Sequence, residues 1–139
     1  MSKVDTICLV DDDEVYHYIM ERTISRNKLA KTILKFMDGE TAINFFNQNL
    51  ANQSKLPELI LLDLNMPVMD GWEFLQEFLI IQPQLKKKVT IYLVTSSVNE
   101  TDIEKAQNFQ IISGYLVKPI AEEKLLEILD NIPKSFTVS

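Results

Sequence analysis

The chain alternates short apolar runs with stretches of helical spacing. The runs are TICLV (6–10), TILKF (32–36), ELILL (58–62), VTIYLV (89–94) and GYLV (114–117). Several are rich in Ile and Val and nearly continuous, as expected for strands covered on both faces. Between them apolar residues recur at intervals of three and four. Tyr16, Ile19, Met20 and Ile24 fall on one helical face, Ile43, Phe46 and Leu50 on a second, and Leu125, Ile128, Leu129 and Ile132 on a third. Residues 72–81, WEFLQEFLII, are apolar enough for a helix pressed against a sheet. Residues 99–109, NETDIEKAQNF, offer only Ile103, Ala106 and Phe109 to an inner side, which makes this the weakest helix of the set. Strand and helix in alternation predict an α/β fold: a doubly wound, five-stranded parallel sheet with five helices on its two faces.

In an open parallel sheet, functional groups gather beyond the carboxyl ends of the strands. Asp11, Asp12 and Asp13 follow the first run, and Asp63 ends the third within ILLDLNMPVMDG. Thr95 and Ser96 follow the fourth run and Lys118-Pro119 the fifth, while Met37-Asp38-Gly39 after the second reads as a plain turn. Adjacent carboxylates repel one another and lose solvation near a core, so something positive belongs among them. Clustered oxygen ligands suit a hard divalent cation, and Mg²⁺ (or Mn²⁺) binds through one or two carboxylates together with water and phosphate. An aspartate in such a cluster can also act as a nucleophile toward phosphorus. Phosphoryl transfer asks mainly for positioning and charge cancellation, which a cation, a lysine and a hydroxyl supply.

Composition narrows the partners. The 139 residues suit one domain, and 46% hydrophobic with 24% charged residues is ordinary for a globular protein. The net charge of −6 argues against a nucleic-acid partner, which needs a basic surface. The basic run Lys86-Lys87-Lys88 is expected to be a solvated loop. Cys8 is the sole cysteine, so no internal disulfide forms, and its apolar setting suits a small buried hydrophobe. Neither a signal peptide nor a membrane span is evident, and a cytoplasmic location is the expectation.

The segments LVDDDE, LLDLNMPVMDGWEFL, LVTSS and GYLVKP resemble, in order, the four signature segments of bacterial two-component response-regulator receiver domains of the CheY-like type. The resemblance runs from about residue 4 to about 132 of a single domain spanning 1–139, with a short tail over 133–139. It implies the flavodoxin-like strand order 2-1-3-4-5. It further implies that Asp63 accepts a phosphoryl group, that Asp12 ligates the metal directly and Asp11 through water, and that Asn65 adds a backbone carbonyl. Lys118 would pair with a phosphoryl oxygen, with Pro119 joined to it by a cis bond. Thr95 would move onto the phosphoryl group, and the ring of Tyr115 would follow. Asn65 and Ser97 would modulate hydrolysis of the acyl phosphate, and Ser96 stands where a small residue commonly leaves access. The donor would be a sensor histidine kinase or a histidine phosphotransfer protein. With no output domain expected, the signal would pass to another protein through the face formed by helix 4, strand 5 and helix 5, and the domain would be a phosphoacceptor rather than a turnover enzyme. Two departures stand out: Asp13 replaces what is often an uncharged residue, and NFQIISGYLVKP lacks the usual Gly-Ala.

Each assignment has an alternative. Asp13 suits a helix N-cap and Asp70-Gly71 a turn opening a helix. Tyr115 could be a fixed core aromatic, and Trp72 and the phenylalanines are expected in the core. His17, the one histidine, lies on the first helix, whereas acceptor histidines belong to helical bundles. Asp11-x-Asp13 also resembles the motif of haloacid-dehalogenase-type phosphatases, with Asp11 as nucleophile. In those enzymes the last acidic motif follows the lysine, whereas Asp63 precedes Thr95 here. A third reading is a receiver-shaped adaptor that is never phosphorylated.

Overall fold

In the computed structural model of the protein, residues 3–96 and 98–132 are described. Ser97 and the tail expected over 133–139 lie outside the described residues. The elements are β1 (Val4–Val10), α1 (Glu14–Arg26), β2 (Ala30–Phe36), α2 (Gly39–Gln48), β3 (Leu59–Asp63), α3 (Gly71–Ile81), β4 (Thr90–Thr95), α4 (Glu100–Gln107), β5 (Ile112–Val117) and α5 (Glu122–Asp130). All strands are parallel, in the order β2-β1-β3-β4-β5. The expected fold is therefore present, and α4, expected to be the weakest helix, is the shortest of the five.

Side chains alternate across the strands and build a separate core on each face. Cys8, Val10, Ile60 and Leu62 face Phe46 of α2 and Phe74 and Phe78 of α3, where Phe46 and Phe78 meet edge to face at 5.2 Å. Ile7, Leu9, Leu59 and Leu61 face Ile24 of α1 and Leu125, Ile128 and Leu129 of α5. Every residue of β3 is buried, as its continuous apolar run predicts, while β2 and β5 lie at the edges and are partly exposed. Cys8 sits in β1 opposite Leu34 and Ile60, and burial pushes its thiol pKa well up.

Acidic or amide residues cap α1 to α4, whereas α5 follows Ala121 without a side-chain cap. Asp13 accepts from the Val15 and Tyr16 amides, and Asp70 forms a reciprocal capping box with Glu73. Asp13 is the cap expected, and Asp70-Gly71 opens α3 as expected. Asp38, in what reads as a plain turn, caps α2 through the Thr41 amide at 2.8 Å.

Three expectations need correction. Ile19 is 54% exposed, and His17 takes its place in the buried stripe of α1. At roughly 100° per residue, Ile19 lies about 100°, just over a quarter of a turn, from the centre of the stripe defined by Tyr16, Met20 and Ile24. Leu50 falls beyond the end of α2 and is only partly buried. The Lys86-Lys87-Lys88 run is not a uniformly solvated loop. Lys87 Nζ is 2.5 Å from Glu58 Oε2 and 2.6 Å from the Leu56 carbonyl. Glu58 Oε1 in turn accepts from the amides of Asp5 and Thr6 at 3.0 and 2.8 Å. A buried carboxylate demands these partners, so one lysine of the run is drawn inward.

Candidate functional site

Strand register assembles the site. Val10 pairs with Leu62, so Asp11 and Asp63, the next residues, stand side by side where the strand order reverses. Asp63 pairs with Val94 and Thr95 with Val117, which adds Thr95 and then Lys118 along the same edge. A backbone bond from the Lys118 amide to the Thr95 carbonyl, 2.7 Å, ties the last two together, and the Lys118-Pro119 bond is cis as expected.

Asp11, Asp12 and Asp63 each offer a carboxylate oxygen, all within 4.8 Å of one another. Asp11 is fully buried, Asp63 is 6% exposed and Asp12 is open to solvent. Lys118 Nζ lies 2.8 Å from Asp11 Oδ2, an ion pair without the direction of a good hydrogen bond. Asp11 Oδ1 accepts from the Asp13 amide at 2.9 Å. His17 Nε2 is 2.7 Å from the Asp11 carbonyl, and since a carbonyl only accepts, that nitrogen carries the proton. Asp63 receives one long bond, 3.4 Å from the Asn65 amide. Burial, followed by the charges of Asp11 and, more weakly, Asp12, pushes its pKa up to about 6 against the opposing pull of Lys118 and the Asn65 amide.

The other predicted residues among those described differ in burial. Thr95 is buried at the end of β4, while Asn65 and Ser96 are exposed. Tyr115 is half-buried against the α3–α4 core, its hydroxyl oxygen enclosed beside the Thr95 side chain. Burial and the charge of Asp102 raise its pKa, while the neighbouring Thr95 side chain and Asn99 backbone pull the other way. Asp13 is spent on its cap, away from the acid/base role that a phosphatase of the Asp11-x-Asp13 type needs.

Two residues were not read from sequence as part of this region. Lys118 Nζ sits 4.5 Å from the centre of the Tyr16 ring, a cation–π contact with a buried side chain of α1. Tyr16 is marked only as a core position by its spacing, although it lies one turn after the acids. Gly71 passes so close to the Asp63 backbone that no side chain fits there. The sequence signals only a turn. In the same β3–α3 loop Val68 holds φ 66° and is 72% exposed.

Among the described residues no helix is long and apolar enough to cross a membrane. Residues 7–130 match the response regulator receiver domain family. The chain is 29% identical over 127 residues to the response regulator Rcp1 of Synechocystis sp., covering 91% of this chain and 84% of that one. It is 27% identical over 126 residues to the probable methanogenesis regulatory protein FilR2 of Methanothrix harundinacea, covering 91% and 79%. The crystal structure of a two component response regulator from Cytophaga hutchinsonii superposes with a TM-score of 0.83 at 28% identity, over 93% of this chain and 96% of that one. With the match spanning nearly the whole sequence and the fold and acidic edge in agreement, the chain belongs to the response regulator receiver domain family of two-component signalling.

Proposed function

We propose that this receiver domain takes a phosphoryl group onto Asp63, with Mg²⁺ (or Mn²⁺) bound among Asp11, Asp12 and Asp63, and so switches a protein-docking face. The observation that carries the reading is Asp63 itself: a buried carboxylate held up to about 6 by neighbouring acids, with one lysine in reach of the cluster. Three carboxylates against one ammonium leave an excess of negative charge, and an all-oxygen donor set fits a hard cation. Such an ion, when bound, offsets charge between the carboxylate and the phosphoryl oxygens. Asp12 and Asp63 would hold it directly, Asn65 through its carbonyl and Asp11 through water.

In the transfer, an Asp63 oxygen forms a bond to phosphorus as the phosphorus–nitrogen bond of the donor's phosphohistidine breaks, and the imidazole leaves with the bonding pair. Lys118 exchanges its contact with Asp11 for a phosphoryl oxygen, and the Thr95 hydroxyl donates to another. Tyr115, packed next to Thr95, follows that movement and alters the face of α4, β5 and α5 that meets the target. The two states differ only by these contacts, and a shift from about 1:99 to 99:1 takes roughly 5.5 kcal/mol of differential interaction. Asn65, Ser96 and Ser97 tune the hydrolysis of the acyl phosphate. The donor is a sensor histidine kinase or a histidine phosphotransfer protein, and the chain acts as a phosphoacceptor rather than a turnover enzyme.

Intact-mass measurement after incubation with a small phosphodonor, in Mg²⁺ or in EDTA, tests this on wild type and Asp63→Asn. One phosphoryl group, dependent on Mg²⁺ and lost in Asp63→Asn, is expected. A label that survives in Asp63→Asn and disappears in Asp11→Asn would transfer the nucleophile to Asp11. No label at all would favour the unphosphorylated adaptor.

A further inference from the structure

Lys118 has two partners of different kinds. Its ammonium lies 2.8 Å from Asp11 Oδ2 and 4.5 Å from the centre of the Tyr16 ring. Asp11 is a partner with other demands on it, since a cation bound in the carboxylate cluster competes with the ammonium for the same group. The ring face is neutral and competes with neither cation nor phosphoryl group. Tyr16 is 7% exposed and the Lys118 side chain 17%, which puts the contact toward the desolvated, stronger end of cation–π attraction. Among the described residues the buried Tyr16 hydroxyl has no hydrogen-bond partner, and it is the ring that meets the ammonium. An ammonium carries three donors, and the ring leaves them free to exchange one oxygen for another.

The geometry points to Tyr16 as a positioning residue: its ring holds the Lys118 ammonium beside the carboxylate cluster while the lysine trades Asp11 for a phosphoryl oxygen. This deepens the reading of Asp63 as acceptor and rests on it. Tyr16 touches no reacting atom and acts through Lys118 alone.

The test is the rate at which acetyl phosphate labels Asp63 in saturating Mg²⁺, followed by intact mass. Tyr16→Leu and Tyr16→Met, which remove the ring but keep an apolar side chain, are expected to slow labelling by about tenfold, within the cation–π range. Tyr16→Phe, which keeps the ring, restores most of the lost rate. In a Lys118→Ala background, Tyr16→Leu changes the rate by less than about twofold, because the group it works through is gone. Equal losses in both backgrounds, or a Tyr16→Phe as slow as Tyr16→Leu, would overturn the role and leave Tyr16 as packing. The contact has its own signature: the Lys118 ε-methylene protons are shifted upfield by the ring in wild type and Tyr16→Phe and return to ordinary values in Tyr16→Met. Ordinary values in wild type overturn the contact outright. An unlabelled wild type sinks the acceptor reading and this role with it, whereas labelled wild type and equally fast Tyr16→Leu and Tyr16→Met sink this role alone.

Discussion

The backbone of Gly71 is wedged against that of Asp63: a Cβ at position 71 would stand 2.5 Å from the Asp63 carbonyl oxygen and 2.9 Å from the Leu64 Cα. The Gly71 amide also donates to the Leu64 carbonyl at 3.0 Å. The start of α3 thus clamps the end of β3, and the obstructing atoms are backbone that cannot rotate away. Gly71→Ala is expected to cost about 2 kcal/mol or more by overpacking. Because the strain falls on Asp63, labelling by a small phosphodonor should slow as well. Urea unfolding and intact-mass rates check the two effects separately.

Asp63 opposes folding at neutral pH. Its folded pKa of about 6 exceeds the ordinary 3.8, so the native state binds the proton more tightly than the unfolded chain. The group's favourable contribution is complete below about 3.8 and is lost as pH rises through about 6. Asp63→Asn removes that loss and should be more stable than wild type by about 1–3 kcal/mol at pH 8. The gap should close between pH 6 and 4. Denaturant melts in EDTA at pH 8, 6 and 4 measure it, and a gap of constant size would count against the buried, acid-crowded setting of Asp63.

Glu58 and Lys87 form a staple at the opposite edge of the sheet. Removing the lysine leaves a carboxylate that is 5% exposed without its counter-charge, although two backbone amides still bond to it. Lys87→Met should destabilise by about 3 kcal/mol, near the low end for a broken buried pair. Lys88→Met, on an exposed neighbour, should change stability by less than about 0.5 kcal/mol. Thermal melts of the two variants compare them directly.

Val68 sits in the left-handed region at φ 66° with its branched side chain in solvent. A β-branched residue pays steric strain there, and little burial would be lost by trimming it. Val68→Gly should therefore stabilise by about 0.5–1 kcal/mol, the relief of strain exceeding the added freedom of the unfolded chain. The urea midpoint should rise with an unchanged slope.

What the sequence shows well is whatever repeats locally. Strand ends follow apolar runs, so Asp11, Asp63, Thr95 and Lys118 are visible at one edge before any coordinate is known. The caps at Asp13 and Asp70 are equally local, because a side chain reaches its own helix within three residues. What escapes is what depends on a distant neighbour. Lys87 looks like one charge among three until Glu58, 29 residues earlier, claims it. Tyr16 and Lys118 are separated by most of the chain and meet only because β1 and β5 end at the same edge. Ile19 and His17 exchange places because a stripe is set by the sheet beneath it, and hydropathy alone cannot weigh a histidine bonded to the Asp11 carbonyl.

The position of Cys8 gives the molecule a built-in clock. The thiol lies on an inner strand flanked by Leu34 and Ile60, fully enclosed and with its ionisation suppressed. Movements of Thr95, Tyr115 or α4 leave it covered, since none of them lifts α2 or α3 from β1. A thiol reagent therefore counts only the openings that lift α2 and α3 off this face of the sheet. Switching and unfolding, which share the same small domain, leave chemically distinct records.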